Sequence, residues 1–397
     1  MIRKLFYSIM CRLPKVTAPS LTGRAGGESV LLLFIMLTAC SSDLPNQPEA
    51  QQPIGFRAEV LEGATRAAGE GELTTEVLQT KGFGVYCWYT GTADFTTPTA
   101  SIYMLMRNQK VEYTGSQWDY SPSKYWPEDP NEKLTFRAYA PYSNYLVTDA
   151  NGMPQLPVVV DADDYHNGTQ HDPLWGTGKR GGTDGDAGTT YGVLYNNYTF
   201  INSGDNLSTD SRDRFIDWYF HHGMAKFILN AKLDPTSSVT SFTVNAITLS
   251  PLYDQGLLDI SSPATSVTDK PNWTGGDGDM TIALSSVDLK SGVTIAVGDD
   301  FKPLLDYGVL VIPRDYSNGT PGDLTDDTPL IVTVSYTADG VDQTVQARLS
   351  DLITAARVEG NTVYSFNLTI NPVLGSIIVT LRVDPYWQAG SYGIIDI

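Results

Sequence analysis

The sequence predicts an all-β protein built of two sandwich blocks, and three observations carry that reading. The first is composition: 22 Tyr and 36 Gly with only 18% charged residues supply strand formers and turn formers rather than helix formers. The second is periodicity. Many short segments alternate apolar and polar residues with a period of two, separated by turn residues. The third is the want of a helical stripe in any window of a dozen residues; only short helical turns are expected, at 350–356. The strand-rich region divides near Phe215 into blocks 53–214 and 215–397. At roughly 160 and 180 residues, each suits one sandwich with long loops.

Residues 30–39, Val-Leu-Leu-Leu-Phe-Ile-Met-Leu-Thr-Ala, form an apolar run preceded by Arg3, Lys4, Arg12, Lys15 and Arg24. The run is too short to span a bilayer and has the length of a signal-peptide core. It ends in Leu37-Thr38-Ala39-Cys40, which resembles a bacterial lipobox, so residues 1–39 read as a lipoprotein signal and Cys40 as the lipidated residue. The leader is long and carries Glu28 close to its apolar run, which suggests a start downstream of Met1. Residues 40–52 are polar and rich in proline and cannot bury a core; they read as a tether.

Ile54, Phe56, Ala58 and Val60 then share one face of the first strand, with Arg57 and Glu59 on the other. The small-residue segment 63–71 follows and holds Arg66. Strands are expected at 83–89, 109–113, 118–120 and 134–140, and residues 161–212 read as long loops with one or two short strands. In the second block, Phe227/Leu229/Ala231/Leu233, Phe242/Val244/Ala246, Leu330/Val332/Val334/Tyr336 and Tyr364/Phe366/Leu368/Ile370 each define a face. The last clear strand, 376–384, places Ile377, Val379, Leu381 and Val383 together.

Charge and chemistry exclude several functions. The formal charge is −19. Without residues 1–39, 21 bases face 44 acids. Nucleic acid is a poor partner for such a chain. Of three cysteines, only Cys87 lies clear of the leader and lipobox, so no intrachain disulfide braces the mature fold. His221 and His222 are adjacent in a strand and point to opposite faces, which suits structural roles better than a shared metal. His166 and His171 sit near Asp161, Asp163 and Asp164, read as a solvated acidic loop. Gly275-Gly-Asp277-Gly-Asp279 lacks the spacing of a calcium loop and reads as a turn. No nucleophile–base motif appears, so no catalytic residue, metal ligand or cofactor is assigned. The aromatic stretch Trp118, Tyr120, Tyr125, Trp126, Tyr139, Tyr142 could offer sugar-stacking surfaces; its alternation favours a core role.

Several phrases, in order, resemble the fimbrillin family of Bacteroidetes, the Mfa-like subunits of type V pili. They are Ile54-x-Phe56 followed by Thr65-Arg66-Ala67; Asn108 through Trp118-Asp119-Tyr120-Ser121-Pro122 and Lys124-Tyr125-Trp126-Pro127; Leu134 through Pro141; His171-Asp-Pro-Leu-Trp-Gly176; Phe220-His-His-Gly-Met-Ala-Lys226; Leu310-Val-Ile-Pro313; and Gly360-Asn-Thr-Val-Tyr364. Gly223 and Pro173 depart from the family pattern. The resemblance implies two transthyretin-like Greek-key β-sandwich domains, export to the outer membrane on a lipid (palmitate) anchor, and assembly into adhesive surface fimbriae with neighbouring subunits by donor-strand exchange. Cleavage after Arg66 by a trypsin-like, Arg-specific protease would remove the strand of Ile54, Phe56, Ala58 and Val60. The open groove would accept a donor, with Ile377 to Val383 or Tyr392 to Ile397 as candidate segments. The competing reading is a surface glycan-binding lipoprotein of a nutrient-uptake complex.

Overall fold

A computed structural model of the chain describes residues 52–60, 74–95, 103–167, 169–180, 190–193, 195, 197–198, 215–261, 269–290, 293–317, 328–385 and 387. Cys40, Arg66 and the segment Tyr392–Ile397 lie outside these residues. The fold is all-β, as the alternation predicts.

The first half contributes β1 (Gly55–Val60), β2 (Phe83–Gly91), β3 (Tyr103–Tyr113), β4 (Trp118–Asp119), β5 (Lys133–Ala140), β6 (Val147–Thr148), β7 (Pro154–Val159), β8 (Leu174–Arg180), β9 (Thr190–Val193) and β10 (Phe215–His222). One large sheet runs β1-β10-β8-β5-β2-β3-β4, with β9 beside β8. Strand β10, which the expected division assigns to the second domain, therefore completes the first sheet.

This sheet buries both faces. On β2, Val85 and Cys87 enter one core while Tyr86 and Trp88 enter another. Strand β5 repeats the pattern with Leu134, Phe136 and Ala138 on one side and Tyr139 on the other. Two-sided burial explains why these strands read as nearly continuous apolar runs. The sheet also curls until its ends meet: the Ile54 amide donates to Lys124 O (2.8 Å) and the Trp126 amide to Gln52 O (2.9 Å).

The second half adds β11 (Ala225–Leu233), β12 (Phe242–Leu252), β13 (Gln255–Asp259), β14 (Asn272–Asp277), β15 (Met280–Leu284), β16 (Lys302–Pro303), β17 (Val309–Val311), β18 (Ile331–Ala338), β19 (Val341–Arg348), β20 (Thr362–Asn371) and β21 (Ser376–Asp384). Two sheets, β16-β11-β20-β21 with β17 on β11 and β15-β12-β18-β19, enclose one core. Phe227, Leu229, Leu330, Val332, Tyr336, Phe366 and Leu368 lie in it as their alternation requires.

Ala246 is a correction. A bulge between Val244 and Ala246 shifts the register on β12, so Ile247 and Leu249 continue the buried face instead; one inserted residue swaps the faces of all that follow.

A fourth sheet, β14-β13-β7-β6, draws strands from both halves. With the outer faces of β2, β5 and β8 it encloses a third core, which includes Trp175, Leu258, Leu310, Val363 and Trp387. Two short helices, Thr75–Lys81 and Ala162–Asn167, and two 3-10 turns at Ser350–Leu352 and Thr354–Ala356 complete the described structure.

Candidate functional site

The first strand is placed by its own alternation. Ile54, Phe56 and Val60 are 1%, 1% and 4% exposed, and Ala58 packs half-buried against the same core. The Phe56 ring lies edge-on to Phe83 (6.1 Å between centroids) and Phe136 (6.5 Å) and tilted on Tyr120 (5.3 Å). The Tyr120 hydroxyl donates to Ile54 O at 2.8 Å, and burial pushes that phenol up to about 12. On the outer face, Arg57 holds the Asp217 carboxylate with two contacts, one of them Nη2 to Oδ2 at 2.6 Å, and stacks over Phe215 at 5.1 Å. Gly55 leaves room for that ring: a β-carbon there would sit 2.5 Å from it.

The ladder of β1 is parallel, and the residues just before it, Gln52–Ile54, bridge antiparallel to Lys124–Trp126 on the other side. Six residues run from Gly55 opposite Phe215 to Val60 opposite Phe220, and β10 is its only ladder partner among the described strands. Its end is tied by the Val60 amide donating to Thr75 Oγ1 at 3.0 Å, beside the helix whose N-cap is Thr74. The structure thus brings all four predicted residues of the first strand together on one core. They complete the apolar core on that side of the sheet.

The predicted donor residues sit elsewhere. Strand β21 is the edge of the second sheet and pairs antiparallel with β20 over nine residues, Ser376–Asn371 to Asp384–Val363. Ile377, Val379 and Leu381 pack half-buried on the second core. Val383 departs from its expected face-mates, at 46% exposure, because the strand runs off the end of the core. Ile378 on the opposite face is 62% exposed.

The remaining sequence candidates resolve into structural contacts. Trp118 and Trp126 are buried in the first core, and Tyr139 is buried in the third. His221 Nε2 meets Thr177 Oγ1 at 2.9 Å in a fully buried site. Burial, the neighbouring His222 and Lys270 hold its imidazole near 3, against the opposing pull of Asp269. His222 Nδ1 meets Asp172 Oδ2 at 2.5 Å, and its ring stacks on Trp387 at 3.8 Å. His166 pairs with Asp288 at 2.8 Å. Asp164 accepts from the Asp161 amide and the Thr169 hydroxyl. Gly278 makes a positive-φ turn after β14, and Asp279 pairs with Arg314. No group of three or more His, Cys, Asp and Glu side chains among the described residues is placed to hold a metal.

Sequence reasoning did not find the polar partners Thr177, Asp172 and Asp217. The first lies on β8, inside the stretch expected to be mostly loop. The two departures from the family pattern meet: the Gly223 amide donates to Pro173 O at 2.7 Å, and a β-carbon on Gly223 would lie 2.6 Å from that oxygen. Glycine is the residue this close approach admits.

These features define a class: an all-β sandwich protein whose first strand packs into the core from the end of a sheet. The chain belongs to the Fimbrillin-like family, whose model matches residues 65–385. That family is one of fimbrial structural proteins and not an enzyme class. The chain is also similar to fimbrium subunit Fim1C of Phocaeicola vulgatus strain ATCC 8482, at 31% identity over 128 residues; the alignment covers 30% of this chain and spans 31% of that relative's length. Its fold is similar to the crystal structure of a fimbrial protein from Bacteroides vulgatus ATCC 8482. The two superpose with a TM-score of 0.54 at 19% identity, covering 84% of this chain and 99% of that one.

Proposed function

We propose that the chain is a structural and adhesive subunit of surface fimbriae, exported as an outer-membrane lipoprotein through Cys40 and assembled by protease-triggered donor-strand exchange. One observation supports this reading above the others: β1 buries Ile54, Phe56 and Val60 yet has one six-residue parallel ladder, to β10, and beyond it only a short antiparallel bridge of residues 52–54 to 124–126. Removing such a strand bares both the backbone edge of β10 and a row of apolar sockets. Another chain's alternating strand can fill both.

An Arg-specific protease cutting after Arg66 would free the strand, and residues 377–383 or 392–397 of a neighbouring subunit would replace it. Arg57 is a poorer target, since it lies inside the paired strand and is clamped to Asp217. The division into domains 53–214 and 215–397 joins this proposal with one qualification: β10 serves the first sheet.

Brief trypsin treatment of the purified precursor should yield ladders on an unboiled gel, while Arg66→Ala stays monomeric. Ladders from Arg66→Ala, or ladders that survive both truncation of 391–397 and disruption of 377–383, would sink the mechanism. Anchoring is tested separately: a fatty-acid probe should label wild type and not Cys40→Ala.

A further inference from the structure

A cleft of about 380 Å³ opens between the β13–β14 hairpin and the backbone at 312–315 and 357–360, away from β1. Its volume falls within the range of small-molecule sites, about 300–1,000 Å³. The far wall is held firmly. Segments 312–315 and 357–360 are bonded to each other, with the Val358 amide donating to Arg314 O at 2.9 Å and a bridge between Asp315 and Arg357.

The side chains facing this cleft are arranged unevenly. Arg314 is spent: its guanidinium lies 4.5 Å over the Tyr253 ring, donates to Gly278 O at 3.1 Å and pairs with Asp279 at 2.8 Å. Lys270 is spent as well, its ammonium donating to Asn361 O, Thr362 Oγ1 and Pro385 O. Half-buried Trp273 is fixed by its Nε1 donating to Gly223 O at 2.9 Å. Arg357 and Glu359 are different. Both are exposed, both line the cleft, and neither side chain has an ion pair among the described residues.

We propose that this cleft binds a carboxylate-bearing saccharide. The ligand's carboxylate would meet Arg357, whose planar guanidinium suits a two-oxygen anion. Its sugar ring would lie along Trp273, where carbon–hydrogen edges meet an aromatic face. Its hydroxyls would donate to Glu359. The last residue decides the class. The Glu359 carboxylate, two positions from Arg357 and in the field of the Lys270 ammonium, repels a compact, multiply charged anion such as phosphate. It welcomes a ligand that carries one negative charge and several hydroxyl donors. Three cations, Lys270, Arg314 and Arg357, and two acids, Asp315 and Glu359, line the cleft, an excess of one positive charge on a chain of net charge −19, and of the three cations Arg357 is the one left to meet an anion. The inference does not rest on strand exchange, because the cleft is built from residues outside β1.

The test uses calorimetric titration of the purified protein with sialyllactose and trigalacturonate, with lactose and glutarate as probes of the sugar and the charge alone. Both acidic saccharides, or one of them, should bind at least tenfold tighter than lactose and glutarate. Arg357→Ala should weaken that binding at least tenfold, and Glu359→Gln severalfold, with far-ultraviolet dichroism unchanged, since both side chains are exposed. Three results would each overturn the proposal: no binding of either acidic saccharide, equal binding of lactose or glutarate, or full affinity in Arg357→Ala.

Discussion

Strands β1 and β21 are both sheet edges with alternating apolar faces, yet they are held in opposite ways. Strand β1 makes a six-residue parallel ladder to β10, with a short bridge of the preceding residues to 124–126, and sinks Ile54, Phe56 and Val60 into the first core. Strand β21 makes a nine-residue antiparallel ladder, while its apolar face only half-covers the second core. Burying apolar surface stabilises by about 25 cal/mol per Å², whereas a backbone hydrogen bond nets about 1 kcal/mol. Strand β1 is thus held chiefly by its side chains and β21 chiefly by its backbone. Loss of β1 would open sockets that demand refilling. Loss of β21 would leave mainly an unpaired edge.

The two strands should differ most when one socket is emptied on each. Phe56→Ala removes a ring that touches three other aromatics, and truncating a buried Phe typically costs about 3–5 kcal/mol. Leu381→Ala on β21 should cost less than half as much in urea unfolding. Equal losses would show that β21 is packed as deeply as β1.

The next effect tests the partner of β1. His221 follows the β1-paired residues on β10, and its imidazole is held at about 3 in the native state against an ordinary 6.5. Below pH 6.5 the unfolded chain takes up a proton that the native state refuses. Stability from this group is therefore present above pH 6.5 and lost as pH falls toward 3, at about 1.4 kcal/mol per unit. In unfolding titrations from pH 7 to 4.5, His221→Phe should lose stability less steeply than wild type. Parallel slopes would place the acid sensitivity elsewhere.

Much of this contrast was legible in the alternation. Ile54/Phe56/Val60, Leu330 to Tyr336 and Tyr364 to Ile370 needed only the period of two, because each has one buried face. The pattern failed where physics added a second term. The bulge at Asn245 moved Ala246 off its face. The β19 edge, Val-Asp-Gln-Thr-Val-Gln-Ala-Arg, is too polar to announce a strand, since only Val345 of it is buried. The first-strand residues lie within seven positions of one another and could be read together. The cleft residues could not: Tyr253, Trp273, Arg314 and Arg357 are gathered from segments up to about a hundred positions apart, and no local pattern links them. His221 and His222 gave no sign of their partners, because Thr177 and Asp172 lie in or beside the region read as loop.

A smaller effect separates charge from packing on β1 itself. Arg57 and Asp217 pair on the outer face, with side chains 40% and 26% exposed. Partly exposed ion pairs contribute about 0.2–1 kcal/mol. Arg57→Ala should therefore cost about 1 kcal/mol at most and lose part of that in high salt. A cost near that of Phe56→Ala would mean the outer face, and not the core, holds the strand.

The smallest effect is expected on the exposed face of β21, and it separates native stability from association. Ile378 is 62% exposed, and the neighbouring turn carries Val373 and Leu374 at 60% and 74%. Its side chain points away from the core that Ile377 and Val379 touch, so Ile378→Asp removes no packing. Surface substitutions of this kind fall within about 0.5 kcal/mol. The same residue sits on an edge strand whose outer backbone groups face no ladder partner among the described strands. An apolar edge is a surface on which chains self-associate, and a charge there blunts it. Ile378→Asp should melt with wild type, while light scattering of concentrated samples falls. Destabilisation by more than about 1 kcal/mol would be twice what an unpacked position permits. The face of β21 would then be packed after all, and the two edges would no longer differ in kind.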